Sequence, residues 1–158
     1  MNVGQVTAQI LKREGVEFLL TYPLNPLTER VSEVDIRPIV VRQERIGIHM
    51  ADAISRLSSG DKVGVFACQE GPGIENAFGA VAQCWSEGVP LIVFPSGGGS
   101  FIKPAFNSTL NFQHVTKHAE TINTPDQIVP ALRRAFSLRS AAGRKRRRKR
   151  RARAVGNW

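Results

Sequence analysis

Apolar residues in this chain alternate between helical spacing and short continuous runs. Val3, Val6, Ile10 and Leu11 recur at the helical period, and Gly15, after Lys12-Arg13-Glu14, marks the stop. The run from Val16 to Thr21 has strand length and is ended by Tyr22-Pro23 and Asn25-Pro26, which stop a strand and stiffen a loop. A short helix is expected over Leu27–Glu33 and a strand over Arg37–Val41, joined by a turn around Asp35. From Arg45 the period is helical again. Ile46, Met50, Ile54 and Leu57 form one stripe, Gly47, Ala51 and Ala53 give thin places for close packing, and Ser58-Ser59-Gly60-Asp61 ends the helix.

Lys62 to Ala67 reads as a buried strand, Gly71-Pro72-Gly73 as a turn, Ile74 to Glu87 as a helix of small residues, and Val89 to Pro95 as the next strand. Strands that are short, apolar on both faces and separated by helices belong to a parallel sheet covered on two sides. The expected fold is therefore an α/β three-layer sandwich, its mainly parallel sheet of about five or six strands covered by helices on both faces. Ser96-Gly97-Gly98-Gly99-Ser100 is expected to be flexible, and residues 101–111, which lack a clear period, to form a long loop. His114–Ile122 suits a short strand or a helix edge. Thr124 is placed as the N-cap and Pro125 as the first residue of a last helix running from Gln127 to about Leu138.

A chain of 158 residues with 42% hydrophobic content can hold one domain with a full core. Its formal net charge of +9 suggests a nucleic-acid binder until the charges are located. Nine of the 22 basic residues stand at Arg144–Arg151 and Arg153, and those before Gly143 equal the acids in number. The body is thus formally neutral. The expected division is a domain over residues 1–138 and a disordered basic tail over 139–158. No basic segment followed by an apolar run opens the chain, and no apolar stretch approaches the roughly 20 residues a bilayer requires, so a cytoplasmic protein without membrane contact is expected. Cys68 and Cys84 form neither a CxxC pair nor a disulfide framework and are read as buried thiols. His49, His114 and His118 are scattered, and no metal site is assigned to this chain.

Three pieces in fixed order carry the candidate chemistry. Arg42-Gln43-Glu44-Arg45 stands at a strand-to-helix junction and is followed by Met50-Ala51-Asp52 on the helix. Gly71-Pro72-Gly73 comes next, with Asn76 three residues on, and Val89-Pro90-Leu91 opens a further strand. Over about residues 2–136 the set resembles the N-terminal, pyrimidine-binding domain of thiamine-diphosphate enzymes of the acetolactate synthase and 2-oxoacid decarboxylase type. The order and spacing carry the resemblance, since Gly-Pro-Gly alone is only a turn.

The resemblance implies that Glu44 is the glutamate whose carboxyl group hydrogen-bonds N1′ of the aminopyrimidine and promotes the imino tautomer that removes the thiazolium C2 proton. A carboxylate at the end of a buried strand is partly desolvated, which favours proton sharing with a ring nitrogen. The competing reading is an N-cap Glu44, or a surface Glu44 paired with Arg42 or Arg45. Gly71, Pro72 and Gly73 correspond to the turn against the pyrimidine ring, where missing side chains let the backbone approach. Asn76 would order that turn. Asn25 and Pro26 match a position at the pocket rim and serve a structural turn equally well. Gln69 and Glu70 are further candidates near the ring, and Phe112-Gln113-His114 with Thr116-Lys117 resembles a segment used in packing and domain contacts.

The Gly-Asp-Gly and paired-Asn motif that holds magnesium and diphosphate in this family is absent from the sequence. The resemblance therefore implies one wall of a site, inactive alone, completed by a homo-oligomer or by a diphosphate-domain subunit that supplies Mg2+ and helps bind a small 2-oxo acid. A separate small subunit and a truncated fragment are both consistent with this. The family continues into a Gly-Arg-Pro-Gly-Pro turn and an apolar strand, where this sequence enters its arginine run. A shifted reading frame in a GC-rich gene yields such a segment, and that reading is preferred to a functional arm, which would bind nucleic acid weakly through phosphates. The rival to the cofactor reading is a non-catalytic interaction module using that arm. Self-association is also expected, through the small residues Gly47, Ala51, Ala77, Gly79, Ala80 and Ala82.

Overall fold

A computed structural model describes residues 1–96 and 107–138. The glycine-rich segment around 97–100 and the basic segment 139–158 lie outside the described residues. Helix α1 (Val3–Arg13) starts at Asn2, whose side chain accepts from the Gln5 N–H while Gln5 accepts from the Asn2 N–H. Strand β1 (Phe18–Thr21), helix α2 (Leu27–Ser32) and strand β2 (Arg37–Val40) follow. Next come α3 (Glu44–Leu57), β3 (Gly64–Gln69), α4 (Pro72–Glu87) and β4 (Leu91–Ser96). A short α5 (Ser108–Phe112) and a helix over 128–138, here α6, complete the described chain. The turn Pro125–Gln127 leads into α6, and the Gln127 side chain accepts from the Thr124 N–H at 3.2 Å.

The sheet is wholly parallel in the order β2-β1-β3-β4. Four strands stand among the described residues, against the five or six expected. Residues 114–122 form turns and irregular backbone, neither strand nor helix, and α5 interrupts the stretch read as a long loop.

Alternation along each strand divides the core into two layers. Leu19, Val65, Ala67 and Ile92 point to the side covered by α1, α2 and α6, where Leu11, Val31, Leu132 and Phe136 meet them. Leu20, Phe66 and Cys68 point to the opposite side, against Ile48 and Ala51 of α3, Ile74, Ala77, Ala80 and Val81 of α4, and Phe112 of α5. The three-layer α/β sandwich read from the sequence is the observed fold.

Helix α3 lies on the sheet by the side that carries its small residues Gly47 and Ala51, with Ile54 of the apolar stripe packed beside them. Gly47, Ile48, Ala51 and Ser55 are buried, while Ile46, Met50 and Leu57 of the apolar stripe are exposed. The approach is so close that a β-carbon on Gly47 would come 2.3 Å from the Phe66 ring, and one on Gly64 would come 1.9 Å from the Ala51 carbonyl oxygen. Ser55 Oγ accepts from the Gly64 N–H at 2.7 Å and pins the start of β3 to this helix. Small residues at the contact let the backbone of α3 settle on β3, and the larger side chains are left outside. Of the six small residues expected to mediate association between chains, Gly47, Ala51, Ala77 and Ala80 are consumed within this chain, while Gly79 is exposed and Ala82 half-buried.

Candidate functional site

Strands β1 and β3 are neighbours, yet the connection after β1 runs through α2 on one face and the connection after β3 runs through α4 on the other. In open α/β sheets such a divergence marks the carboxyl ends of the strands as the place where ligands are taken. The loop Tyr22–Pro26 follows β1 and the turn Glu70–Gly73 follows β3 at this end of the sheet.

Gly71 has φ +70°, a left-handed conformation suited to glycine, and turns the chain out of β3. Pro72 is then the first residue of α4, a position where its missing N–H leaves nothing unsatisfied. The turn is thus confined to Glu70-Gly71, and Gly73 already belongs to the helix, which begins earlier than the sequence pattern suggested.

Glu44 is the first residue of α3, four residues beyond the end of β2, and is only 5% exposed. The expected origin of its burial needs correction. Strand β2 is a half-exposed edge strand, so it is the amino end of α4 that covers the carboxylate. Asn76 Nδ2 donates to Glu44 Oε2 at 3.3 Å, and a β-carbon on Gly73 would stand 3.3 Å from Oε1. Arg42 and Arg45 are exposed, and the surface pairing weighed for them is not formed. The negative charge sits in the first turn of α3, where the helix dipole favours it. One oxygen is oriented by an amide donor and the other faces a residue without a side chain. A carboxylate so cradled is able to share a proton with a nitrogen brought against Oε1.

Burial, and after it the charge of Glu44, pushes the Cys68 thiol up to about 12. Cys68 is thus a neutral wall of this site rather than a nucleophile.

Asn25 is 7% exposed and its polar atoms are engaged within the fold. Nδ2 donates to the carbonyls of Cys68 at 2.9 Å and Phe94 at 3.0 Å, while Oδ1 accepts from the Leu27 N–H at 3.0 Å. One side chain thereby ties the β1 loop to the ends of β3 and β4. Pro26 is exposed and serves as the N-cap of α2. Asn25→Ala is expected to cost about 2 kcal/mol in urea unfolding, because it strips partners from groups in the interior. Asn25→Asp is expected to do no better, since it sets a carboxylate oxygen against two carbonyl oxygens.

A second polar cluster joins α3 to α4 and was not anticipated, although Asp52 and Arg56 stand at the helical i,i+4 spacing that signals a pair. Arg56 donates twice to Asp52, at 2.9 and 3.0 Å, and also to Glu87, and Cys84 Sγ donates to Asp52 at 3.5 Å. Burial, then Asp52, raises the Cys84 thiol to about 12. The cluster is satisfied within itself and fastens the two helices whose first turns frame Glu44. Gln69 and Glu70 lie half-buried at the end of β3. Thr116 and Lys117 lie apart from the site, in the turns beyond α5, where Thr116 Oγ1 donates to the Phe112 carbonyl.

Residues 1–104 match the family model described as thiamine pyrophosphate enzyme, N-terminal TPP binding domain. Among curated relatives, 2-hydroxyacyl-CoA lyase 2 of Xenopus laevis is 30% identical over 143 residues, covering 85% of this chain and 22% of the relative. Acetolactate synthase large subunit of Haemophilus influenzae is 28% identical over 153 residues, covering 89% of this chain and 26% of the relative. Its counterpart in Lactococcus lactis subsp. lactis is 37% identical over 109 residues, 65% of this chain and 19% of the relative. The chain therefore spans about a quarter of the length of these relatives.

Proposed function

Because the chain belongs to the family of N-terminal TPP binding domains of thiamine pyrophosphate enzymes, we propose that its 1–138 domain supplies the pyrimidine side of a thiamine-diphosphate site, with Glu44 as the proton-sharing residue. The observation that carries the reading is the buried Glu44 carboxylate, with Asn76 on one oxygen and side-chain-free Gly73 opposite the other. Bound thiamine diphosphate would supply a carbon nucleophile and electron sink for cleaving or joining bonds next to a carbonyl. Glu44 would hold a proton at Oε1, Asn76 would fix the carboxylate plane, and Gly71 and Gly73 would let the backbone reach the ring. Asn25 would act from behind by setting the spacing of the strand ends, and Pro26 by opening α2 at the rim.

The reaction of the completed enzyme is proposed as decarboxylation or carboligation of a 2-oxo acid. Diphosphate and Mg2+ would be held by a partner domain, on a second copy or on another subunit. The exposed Ile46 and Met50 of α3 and Phe78 and Trp85 of α4 would be available to such a partner.

Gly73→Ala tests the cradle. Alanine suits a helix better than glycine, which offsets crowding from the added methyl, so the folding midpoint should shift only slightly. The new methyl, however, would press on Glu44 Oε1 and Gln69 Cβ, each 3.3 Å away. In NMR titrations with 4-amino-2-methylpyrimidine, the amides of Glu44, Gly73 and Asn76 are expected to respond in the unaltered chain. Gly73→Ala should weaken that binding by about tenfold or more, equivalent to about 1.4 kcal/mol. Unchanged affinity in the variant would remove the cradle from the proposal.

A further inference from the structure

Helices α3 and α4 meet at a constant offset. Asn76 bonds Glu44 and Cys84 bonds Asp52, and in both pairs the partners stand 32 residues apart in sequence. Arg56 bonds Glu87 at a separation of 31. The two helices therefore run side by side in the same direction and in register. Their polar contacts fall at the amino ends and again from two turns further on, about 12 Å along the axis at 1.5 Å per residue.

The two sets of contacts differ in strength. At the amino end Asn76 is exposed, and its bond to Glu44, at 3.3 Å, is longer than the usual N–H···O range. A solvent-facing amide on such a bond turns easily to water. At the far end Asp52 is 9% exposed and accepts twice from Arg56, at 2.9 and 3.0 Å, and once from Cys84 Sγ. Charge-assisted, two-pronged bonds of this kind are the stronger and more directional ones. Held in that fork, Arg56 reaches across to Glu87 of α4. Between the ends lie Ile48 and Ala51 of α3 and Ala77, Ala80 and Val81 of α4, whose apolar burial is non-directional and does not choose a register. Helix α4 leaves β3 through Gly71, a residue with the freest of backbones, so its placement along α3 falls to the contacts between the helices.

We infer that Asp52 is a positioning residue for the proton-sharing site: by holding Arg56 on Glu87 and accepting from Cys84 it sets the register of α4 on α3, and that register keeps Asn76 Nδ2 on Glu44 Oε2. Asp52 acts through Asn76, from two turns away. The inference rests on the pyrimidine-site reading and deepens it by naming what keeps the Glu44 carboxylate oriented. Asp52→Asn keeps the size of the side chain and withdraws the charge that grips Arg56. With the grip loosened, Asn76 leaves Oε2, and a ring nitrogen brought against Oε1 meets a carboxylate that is no longer held in plane. The loss in binding is about fivefold, the worth of one hydrogen bond.

The test is a double-mutant cycle in the full chain, labelled at backbone and side-chain amides and titrated by NMR with 4-amino-2-methylpyrimidine. Asp52→Asn and Asn76→Ala should each weaken binding about fivefold, and Asp52→Asn added to Asn76→Ala should cost less than about twofold more. The Asn76 side-chain amide signals should move in Asp52→Asn before any ligand is added. Glu87→Gln, at an exposed site where folding depends little on one ion pair, should move the same signals and weaken binding in the same direction. It takes the place of Asp52→Asn in the cycle if that variant does not fold. Equal losses from Asp52→Asn with and without Asn76 overturn the inference, because Asp52 would then be a general support of the fold. Unchanged affinity in Asp52→Asn and Glu87→Gln, while the unaltered chain still responds at Gly73 and Asn76, overturns it too and spares the reading beneath it. No response at Gly73 and Asn76 in the unaltered chain sinks the pyrimidine-site reading and this inference together.

Discussion

Gly64→Ala should destabilise the domain by about 3 kcal/mol or more, the upper end of what overpacking costs and a large share of a marginal folding free energy. Gly64 opens β3 beneath α3, and its added methyl would stand 1.9 Å from the Ala51 carbonyl oxygen and 2.7 Å from the Ala51 α-carbon. These are backbone atoms. No rotamer change relieves the overlap, so α3 as a whole must lift from the sheet. Lifting it also stretches the bond from the Gly64 N–H to Ser55 Oγ and opens the contact between Gly47 and Phe66. Gly79→Ala is the matched control. Nothing lies within 4 Å of the β-carbon it would add, and its site in the middle of α4 is one where alanine gains about 0.5–1 kcal/mol over glycine. One chemical change should thus have opposite signs at the two positions in urea or thermal unfolding. A Gly64→Ala midpoint equal to that of the unaltered protein would mean that α3 does not rest on β3 as described.

Glu44→Gln is the corresponding functional experiment. Glutamine keeps the size of the side chain and retains an oxygen that can accept from Asn76 Nδ2, so folding stability is expected to change by less than about 1 kcal/mol. It removes the group able to exchange a proton at Oε1. Positioned proton transfer contributes roughly 10²–10⁴-fold to rate. In the enzyme assembled from this chain, a diphosphate-binding partner, Mg2+ and a 2-oxo acid, turnover should fall by at least about a hundredfold. Equal turnover in the two proteins would exclude Glu44 from the mechanism. An equal loss of turnover and of folding stability would instead make it a structural carboxylate.

Much of the architecture was legible in residue order. The helices begin and end near the predicted positions because their stops are local. Gly15 at φ +79° closes α1, and Asp35 at φ 54° turns the chain into β2. Gly88 at φ 65° caps α4, and Pro125 opens the last helix. The placement of Glu44 and Gly71-Pro72-Gly73 at successive strand-to-helix junctions followed from the same punctuation, and the parallel sheet followed from strands separated by helices.

Where the reading failed, the deciding contact was distant along the chain. Periodicity identifies an apolar stripe on α3 but does not say which face meets the sheet. Ile46, Met50 and Leu57 formed the more obvious stripe, yet Gly47, Ala51 and Ser55 let the backbone approach Gly64 and Phe66, and that closer packing set the orientation. The edge position of β2 likewise depends on strand order, which no local pattern encodes.

By itself, then, the sequence determined the succession of elements and the α/β class, because these depend on local backbone preference and hydrophobic period, while the candidate carboxylate came from the resemblance of its motifs to the thiamine-diphosphate family. Tertiary structure alone decided that Glu44 is buried by α4 and held by Asn76, and that Asn25 is engaged as a clamp between strand ends. The physical reason is the same in each case: burial and hydrogen-bond partnership are made by groups tens of residues apart, and only the packing of helices on the sheet brings those groups together.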